Sequence, residues 1–598
     1  MSKDKIGGSF LIKETNFKDI FILSDFDDIS KQMLDATKDF VDKEIVPNIH
    51  EFEKYNYNLV EEIMRKAGSL GLLGINVPEE YGGLGMSFNL SLLICGEISA
   101  WSGSVATAYG AHTGIGTYPV LYYANENLKQ KFLPKIASGE WIACYNLTEP
   151  NAGSDANSGV TKAILSADKK YYEITGQKIW ISNAGFSEVF IVFARIENDK
   201  NITAFIIQKS KSEGITLGDE EKKLGLRSSS TRQVFYDKTK IPVTNILGER
   251  NGGFKIAINA LNVGRIKLGA AVISAAEKIL NVSIEYAIQR KQFKNAIINY
   301  GAISEKLANM ASKVYCSNAA IYRAGHDIDV KIKQLTEKGD NQNNAKLNAL
   351  LSYAIECSII KVHGSEVIKY IADQAVQIHG GMGYSADTLV EPAYRDARIS
   401  SIYEGTNEIN RMLIVDMILK KAIKKEVQIF KKARKLQKEI ILILAGINTN
   451  IPKSKIQNEK KAICNLKKLA ILILGLATSK YKAKIIKEQE ILMRIADIII
   501  EVYIAESAIL KTEKLIEKKE YKNCQTEINM SRNYLQNAIK ISKESAEEVI
   551  QATTTGIKRK ILLSVNRKLT KSLNYNMKNI RRSISERLKE DGKYKFSI

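Results

Sequence analysis

Apolar residues in this chain change their rhythm twice. From about 145 to 250 they fall in short β-branched and aromatic runs, "YYEITGQKIWISNAG", "EVFIVFARI", "ITAFIIQK" and "TRQVFYDKTKIPV", broken by Gly, Asn and Asp. On either side they recur every three or four positions, as on the buried stripe of a helix. "DDISKQMLDATKDFVDKEIVP" opens with acids and stops at Pro47, "VEEIMRKAGSLGLLG" ends in glycine, and "NLSLLICGEISAWSG" follows the loop "VPEEYGGLG". After 251 a run of about 37 residues, "FKIAINALNVGRIKLGAAVISAAEKILNVSIEYAIQR", has few breakers. Helical patterns continue at 303–336, 343–379 and 406–424, then at 429–446, 457–478, 483–512, 526–551 and 575–590. The expected fold class is α+β. An arm (1–27) leads to an N-terminal helical domain (28–144), then a central β-barrel or sandwich (145–250), a helical bundle (251–420) and an additional C-terminal helical domain (421–598).

Charge marks the last of these as a separate compositional unit. The chain carries +22, and residues 421–598 hold 40 Lys+Arg against 18 Asp+Glu, so the whole excess lies there. No apolar run reaches the ~18 residues of a membrane span, and the N-terminus lacks the apolar core of a secretory signal. Six cysteines without a CxxC pair read as reduced thiols, which predicts a cytoplasmic setting. Five histidines without paired spacing predict no metal centre. His112 and His379 read as structural, since spacing sets no acid beside either.

Several segments point to chemistry. "YNLTEPNAGSDANS" (145–158) is a loop of hydroxyls and small residues that exposes backbone N–H groups, suited to a flat polar ring or a phosphate. In "GQKIWISNAG" Trp180 precedes Ser182 by two, so a strand turns both to one face, aromatic beside hydroxyl. Trp180 alone would read as a core residue, and Glu404 in "SIYEGTNEINRML" alone as a surface acid at a helix start.

Taken in order, "YNLTEPNAGSD", "GQKIWISN", "KLGLRSSSTRQVFYDKTKIPVTNILGE", "GRIKLGAA", "RKQF", "QIHGGMGY" and "RDARISSIYEGTNEINR" resemble the motifs of acyl-CoA dehydrogenases, over about residues 28–420. The extra helical region and "GAHTGIGTYPVLYYANENLKQKFLPKIASGEWIACYNLTEP" resemble the very-long-chain branch and its bacterial relatives. The resemblance implies that Glu404 removes the α-proton of an acyl-CoA while a hydride leaves the β-carbon for flavin N5, giving a trans-2-enoyl-CoA. It also implies that the thioester oxygen is held by the Glu404 backbone N–H and a flavin hydroxyl. In some branches the base instead precedes the arginine of the "GR" motif; that position here is Gly264, which leaves Glu404. By the same resemblance FAD is contacted by Tyr145, Leu147, Thr148, Gly153, Ser154, Trp180, Ile181, Ser182, Thr406 and Glu408 of one subunit. Arg290, Gln292, Phe293, Gln377, Gly380 and Gly381 reach it from a neighbouring subunit. Ser154, Asn262, Arg265, Tyr403 and Gly405 resemble the substrate positions. Arg265 has two readings, holding the CoA side or bracing the loop of Glu404. Thr406 also suits the cap of the next helix.

The implied activity is α,β-dehydrogenation of acyl-CoA in fatty-acid β-oxidation, with an electron-transferring flavoprotein as acceptor. The implied assembly is a homo-oligomer, a dimer in preference, because the tail takes the face a tetramer would use. Gly114 and Gly116 fall where the family's acyl pocket ends, and small residues there predict a deep channel for long chains. The alternatives are an acyl-CoA oxidase and a flavin-retaining protein that binds DNA or serves assembly. The basic tail has three readings: drift on solvated helix faces, peripheral contact with the anionic inner face of a membrane, and nucleic-acid binding. The last is disfavoured by the lack of clustered arginines or a nucleic-acid motif.

Overall fold

A computed structural model describes residues 6–444 and 454–597. The first layer holds α1 (Asp28–Phe40), α2 (Tyr57–Ser69), α3 (Phe88–Ser99), α4 (Gly103–Gly110), α5 (Thr117–Tyr123) and α6 (Glu126–Ala137). Asp27, Asn56, Ser87, Ser102 and Asn125 cap five of them by accepting a first-turn N–H. α1 ends before Pro47, and its chain opens into a π turn at Val41–Ile45. A regular helix there would press the proline ring on the carbonyl of Lys43.

The middle of the chain forms β1 (Ala143–Asn146), β2 (Lys162–Leu165), β3 (Tyr171–Ser182), β4 (Val189–Ile196), β5 (Thr203–Gln208), β6 (Ile215–Glu220), β7 (Thr231–Pro242) and β8 (Ile246–Leu247). The order is β6-β7-β3-β2-β4-β5-β8, with β1 parallel to β4. This path has two ends, so the expected barrel is not closed. Only two residue pairs join β2 to β4, and the two halves share one core. Phe190, Val192, Phe205 and Ile207 pack there with Ile174, Val234 and Tyr236. The alternate β4 residues Val189, Ile191 and Phe193 join the helical core instead. Both faces of β4 are covered, which explains the unbroken apolar run "VFIVFA". The short strands β1, β2, β6 and β8 gave no separate sequence signal.

The helical bundle comprises α7 (Gly253–Gln289), the small hairpin β9 (Lys291–Gln292) and β10 (Asn295–Ala296), α8 (Gly301–Glu337), α9 (Gln342–Ser352), α10 (Ala354–His379), α11 (Val390–Ala397) and α12 (Asn407–Ile423). The run expected at 343–379 is two helices, split at Tyr353 (φ −103°, ψ 16°). α7 and α10 run parallel. A Cβ on Gly364 would sit 3.3 Å from Gly269 Cα, and farther along Tyr286 stacks on His379 at 4.1 Å.

The tail contains α13 (Ile429–Lys438), α14 (Ile440–Leu444), α15 (Gln457–Tyr481), α16 (Gln489–Lys519), α17 (Gln525–Thr553), α18 (Gly556–Leu569) and α19 (Met577–Asp591). The helix expected at 429–446 breaks after Lys438, and residues 445 and 446 lie outside the described residues. The one expected at 483–512 starts later and runs to Lys519, and α18 was not foreseen. Despite its composition, the tail shares the bundle's core. Arg323 of α8 pairs with buried Glu506 of α16 at 3.1 Å, and Arg411 of α12 with Asp497 at 2.7 Å. Gly253–Gln289 and Gln457–Lys487 are long and apolar enough to cross a membrane by composition. Their apolar windows are 72% and 67% buried within the protein, as core helices are.

Candidate active site

Glu404 sits in a turn between α11 and α12 with φ 59°, and Gly405 follows at φ 80°. Glycine adopts that region freely, but a glutamate there is strained by about 1–2 kcal/mol. Three side chains hold the turn through its carbonyls. Arg265 Nε donates to Glu404 O at 3.1 Å, Asn410 Nδ2 to Gly405 O at 2.8 Å, and Lys361 Nζ to Gly405 O at 2.8 Å. Lys361 also donates to Asn407 Oδ1 at 2.8 Å, and Thr406 Oγ1 caps α12 by accepting from Ile409 N. The Glu404 N–H meets no acceptor among the described residues.

The carboxylate turns inward against Gly264, where an added Cβ would fall 2.4 Å from Oε2. Oε2 is sealed from solvent and unpartnered. Burial pushes the carboxyl up to about 7, against the opposing pull of Arg265 and Lys361. Those cations are bonded to the turn's carbonyls, so their charge is felt without a direct ion pair. Burial in turn pulls the Lys361 ammonium down to about 8. Tyr145 is buried beside this site with its hydroxyl unpartnered; burial, then the nearby Glu404, raises the phenol. Burial and Glu404 likewise raise Tyr403.

Asn262 is buried, and its Oδ1 accepts from Arg265 Nη1 at 2.9 Å. With Glu404 O and Asn262 as its contacts, the Arg265 guanidinium has the geometry of a brace. Next to this corner, Tyr109, Thr113, Tyr118, Val263, Lys267 and Leu350 line part of a narrow cavity with about 30 Å³ of free space. The two predicted channel glycines differ. A Cβ on Gly114 would meet only Lys267 Cδ at 3.9 Å and Gly264 Cα at 4.0 Å, whereas one on Gly116 would collide with Ala143 Cβ at 2.8 Å. Gly116 is thus a packing glycine.

β1 carries buried Tyr145, and the loop after it carries buried Leu147, half-buried Thr148, and exposed Gly153 and Ser154. It is tied to β3 by Ile179 N donating to Thr148 O at 3.0 Å and by the buried pair Lys178–Glu149 at 2.7 Å. Burial would raise the Glu149 carboxyl, but Lys178 and the Thr161 and Val160 contacts hold it below the usual range. The β3–β7 register slips between Lys178 and Ile181, and Trp180 has φ 60°. This bulge switches the strand's faces: Ile181 is buried, Trp180 is 56% exposed and Ser182 half-exposed. Thr148, Trp180 and Ser182 thus line the margin where the loop meets the bulge.

The other predicted contacts stand apart. Arg290, Gln292 and Phe293 follow α7, and Gln377, Gly380 and Gly381 end α10; all six are exposed. Tyr286 and His379 hold the two groups together. From Gly264 to the end of α7 is about 38 Å at 1.5 Å per residue. One chain therefore carries two separate clusters. Glu408 is exposed on the first turn of α12. His112 accepts from Ala143 N at 3.0 Å and faces Ile136 O, and burial drops it to about 4, so it is neutral packing.

Similarity to known proteins spans nearly the whole chain. A probable acyl-CoA dehydrogenase of Bacillus subtilis (strain 168) is 39% identical over 588 residues, covering 98% of each chain. This chain belongs to the acyl-CoA dehydrogenase family. Models described as the acyl-CoA dehydrogenase N-terminal, middle and C-terminal domains match residues 27–140, 144–239 and 251–419. A further C-terminal-domain model of the family matches 465–568. The crystal structure of an acyl-CoA dehydrogenase complexed with FAD from Bacillus anthracis is similar at a TM-score of 0.95 and 39% identity, covering 99% of this chain and 100% of that one. The mitochondrial very long-chain specific acyl-CoA dehydrogenase of Rattus norvegicus is 36% identical over 362 residues, 59% of this chain and 52% of its own. For an acyl-CoA dehydrogenase, the residues that sequence reading missed are supports: Lys361, Asn410, Glu149 and Lys178. Lys361 left one signal, a lysine inside the apolar run "CSIIKVHGS".

Proposed function

We propose that this enzyme uses FAD to dehydrogenate acyl-CoA thioesters between Cα and Cβ, with Glu404 as the base. The sealed, unpartnered Oε2 with a carboxyl raised to about 7 carries the reading. A dry carboxylate is a stronger base than one in water, by on the order of 3 kcal/mol for this shift. The free Glu404 N–H is placed to donate to the thioester oxygen as charge builds on it, and Gly405 leaves room for that approach. Arg265 and Lys361 fix this N–H by gripping the adjoining carbonyls. The proton stays on Glu404, which burial favours as neutral.

Thr148, Trp180 and Ser182 fit a planar heteroaromatic ring: an indole face beside two hydroxyls, with the unpartnered Tyr145 hydroxyl inward of them. FAD, when bound, supplies the acceptor for the electron pair that leaves with the Cβ hydrogen. We assign the far-end cluster of Arg290 and Gly380 to the FAD of a second copy, which makes the enzyme a homo-oligomer, in preference a dimer. The room beside Gly114, where an added Cβ would meet nothing closer than 3.9 Å, is where a long acyl chain would run, and an electron-transferring flavoprotein is the acceptor that fits β-oxidation.

Anaerobic addition of acyl-CoAs of graded length is expected to bleach the flavin, and Glu404→Gln to slow bleaching by at least about 10²-fold. Bleaching at near the normal rate in that variant would remove Glu404 from the role.

The cytoplasmic enzyme also has a surface suited to an anionic membrane. Ile441 of α14 and Ile557 of α18 are each 77% exposed on adjoining helices, among lysines such as Lys438, Lys558 and Lys560. Flotation with anionic vesicles is expected and should fall with salt; equal binding to neutral vesicles would count against this contact.

A further inference from the structure

Between the N-terminal arm and the tail lies an open groove with about 170 Å³ of free space, remote from Glu404 in the chain and unused by the proposed reaction. One wall is a single stripe of α15: Lys460, Ile463, Cys464, Lys467, Lys468 and Ile471 recur at three- and four-residue steps. Ile509 and Leu510 of α16 face it, and the arm at Leu11–Thr15 closes one side. The walls are therefore apolar and the charged groups excess in cations: five lysines line the groove against Glu14 and Glu506.

These lysines are not equivalent. Lys467 is buried, pairs with Glu506 and donates to Lys13 O at 3.0 Å. Lys460 pairs with Glu513 at 3.0 Å. Lys432 of α13 and Lys468 have no hydrogen-bonding or ion-pair partner among the described residues. Between them Cys464 is partly exposed, whereas the other five cysteines are buried.

We propose that this groove binds a single-chain amphiphilic anion, an aliphatic chain ending in a carboxylate. The isoleucine walls take the chain, each buried methylene tightening binding about fourfold. Lys432 and Lys468 meet the carboxylate as charge-assisted donors; a neutral head would leave them unanswered.

Cys464 reports occupancy. In the full-length flavoenzyme, monomeric tetradecanoate is expected to slow maleimide labelling of Cys464 saturably, by at least about fivefold. Tetradecanol and butanoate are expected to slow it less than about twofold at the same concentration. The Cys464→Ser variant identifies the signal. Lys432→Gln with Lys468→Gln is expected to require at least about tenfold more tetradecanoate, with flavin bleaching by acyl-CoA unchanged. Ile471→Trp, which fills the groove, is expected to abolish protection. The proposal is overturned by the absence of saturable protection, by equal protection from the alcohol, or by protection unchanged in the double variant. Protection by anionic vesicles alone overturns it too, as does a thiol already inert in the ligand-free protein, which would mean that a second copy or the chain itself covers the groove.

Discussion

Lys361 shows how one buried side chain sets both the shape and the charge of the turn that carries Glu404. Its ammonium holds Gly405 O and Asn407, and its charge lowers the Glu404 carboxyl from where burial would put it. Lys361→Met is therefore expected to move the pH midpoint of flavin bleaching above about 7, and Lys361→Arg to restore most of that shift. A purely structural role would lower the rate without moving the midpoint. The same reasoning fixes the sign for stability. Glu404 holds its proton in the folded state up to about 7 but releases it near the ordinary carboxylate value when unfolded. Folding thus loses stability as pH rises between those values, and the ionised carboxylate is a cost above them. Glu404→Gln is expected to be more stable than the parent by about 1–3 kcal/mol near pH 8, a gain that vanishes below about pH 4. Melting curves at both pH values check it. Glu404 and Thr406 are legible in the sequence because they stand in one contiguous motif. Asn410 is not, and Lys361 shows only as a lysine in an apolar run, because both act on backbone carbonyls, which no residue type announces.

Elements place these residues through interruptions of regular structure. The bulge in β3 turns Trp180 out and Ile181 in, against the parity of Tyr172, Ile174 and Lys178, which are buried. The alternating pattern makes β3 legible as a strand, but a bulge leaves only a one-residue phase slip that any half-buried strand tolerates. β4 and β5 are read easily because both faces are covered. The break between α9 and α10 has no Gly or Pro to mark it, and α18 has too weak a stripe beside its lysines to stand out. The cavity near Gly114 depends on five elements meeting, so the sequence shows only its glycines. Leu350 of α9 lines it. Leu350→Trp is expected to cut bleaching by a sixteen-carbon acyl-CoA at least tenfold, since a few excluded methylenes cost about 0.8 kcal/mol each. A four-carbon substrate should retain its rate within about twofold. Equal losses for both would separate this cavity from the acyl chain.

At the scale of the molecule, composition and architecture disagree. The tail is a distinct block of charge, yet α16 and α17 pack on α8 within one continuous core, and the arm is pinned to it by Lys514 and Lys518 at Asp25. Charge is legible in a sequence, but burial is not, and isoleucines shared between neighbouring helices join what composition separates. The two clusters proposed to hold the cofactor raise the opposite matter, since one chain holds both but keeps them about 38 Å apart along α7. The far end also presents Phe293 at 88% and Tyr384 at 89% exposure, large apolar rings in open water next to Arg290 and Gly380. A second copy covering these rings would bring Arg290 to the first copy's Trp180 margin and complete the FAD site. Phe293→Asp, which places a carboxylate in that contact, is expected to shift the protein to monomers in light scattering and to strip FAD on gel filtration. Its helical circular dichroism should be unchanged, because Phe293 touches little of its own chain. A monomeric Phe293→Asp that keeps FAD and bleaches normally would mean that each chain builds its site alone, and the far-end cluster would then serve something else.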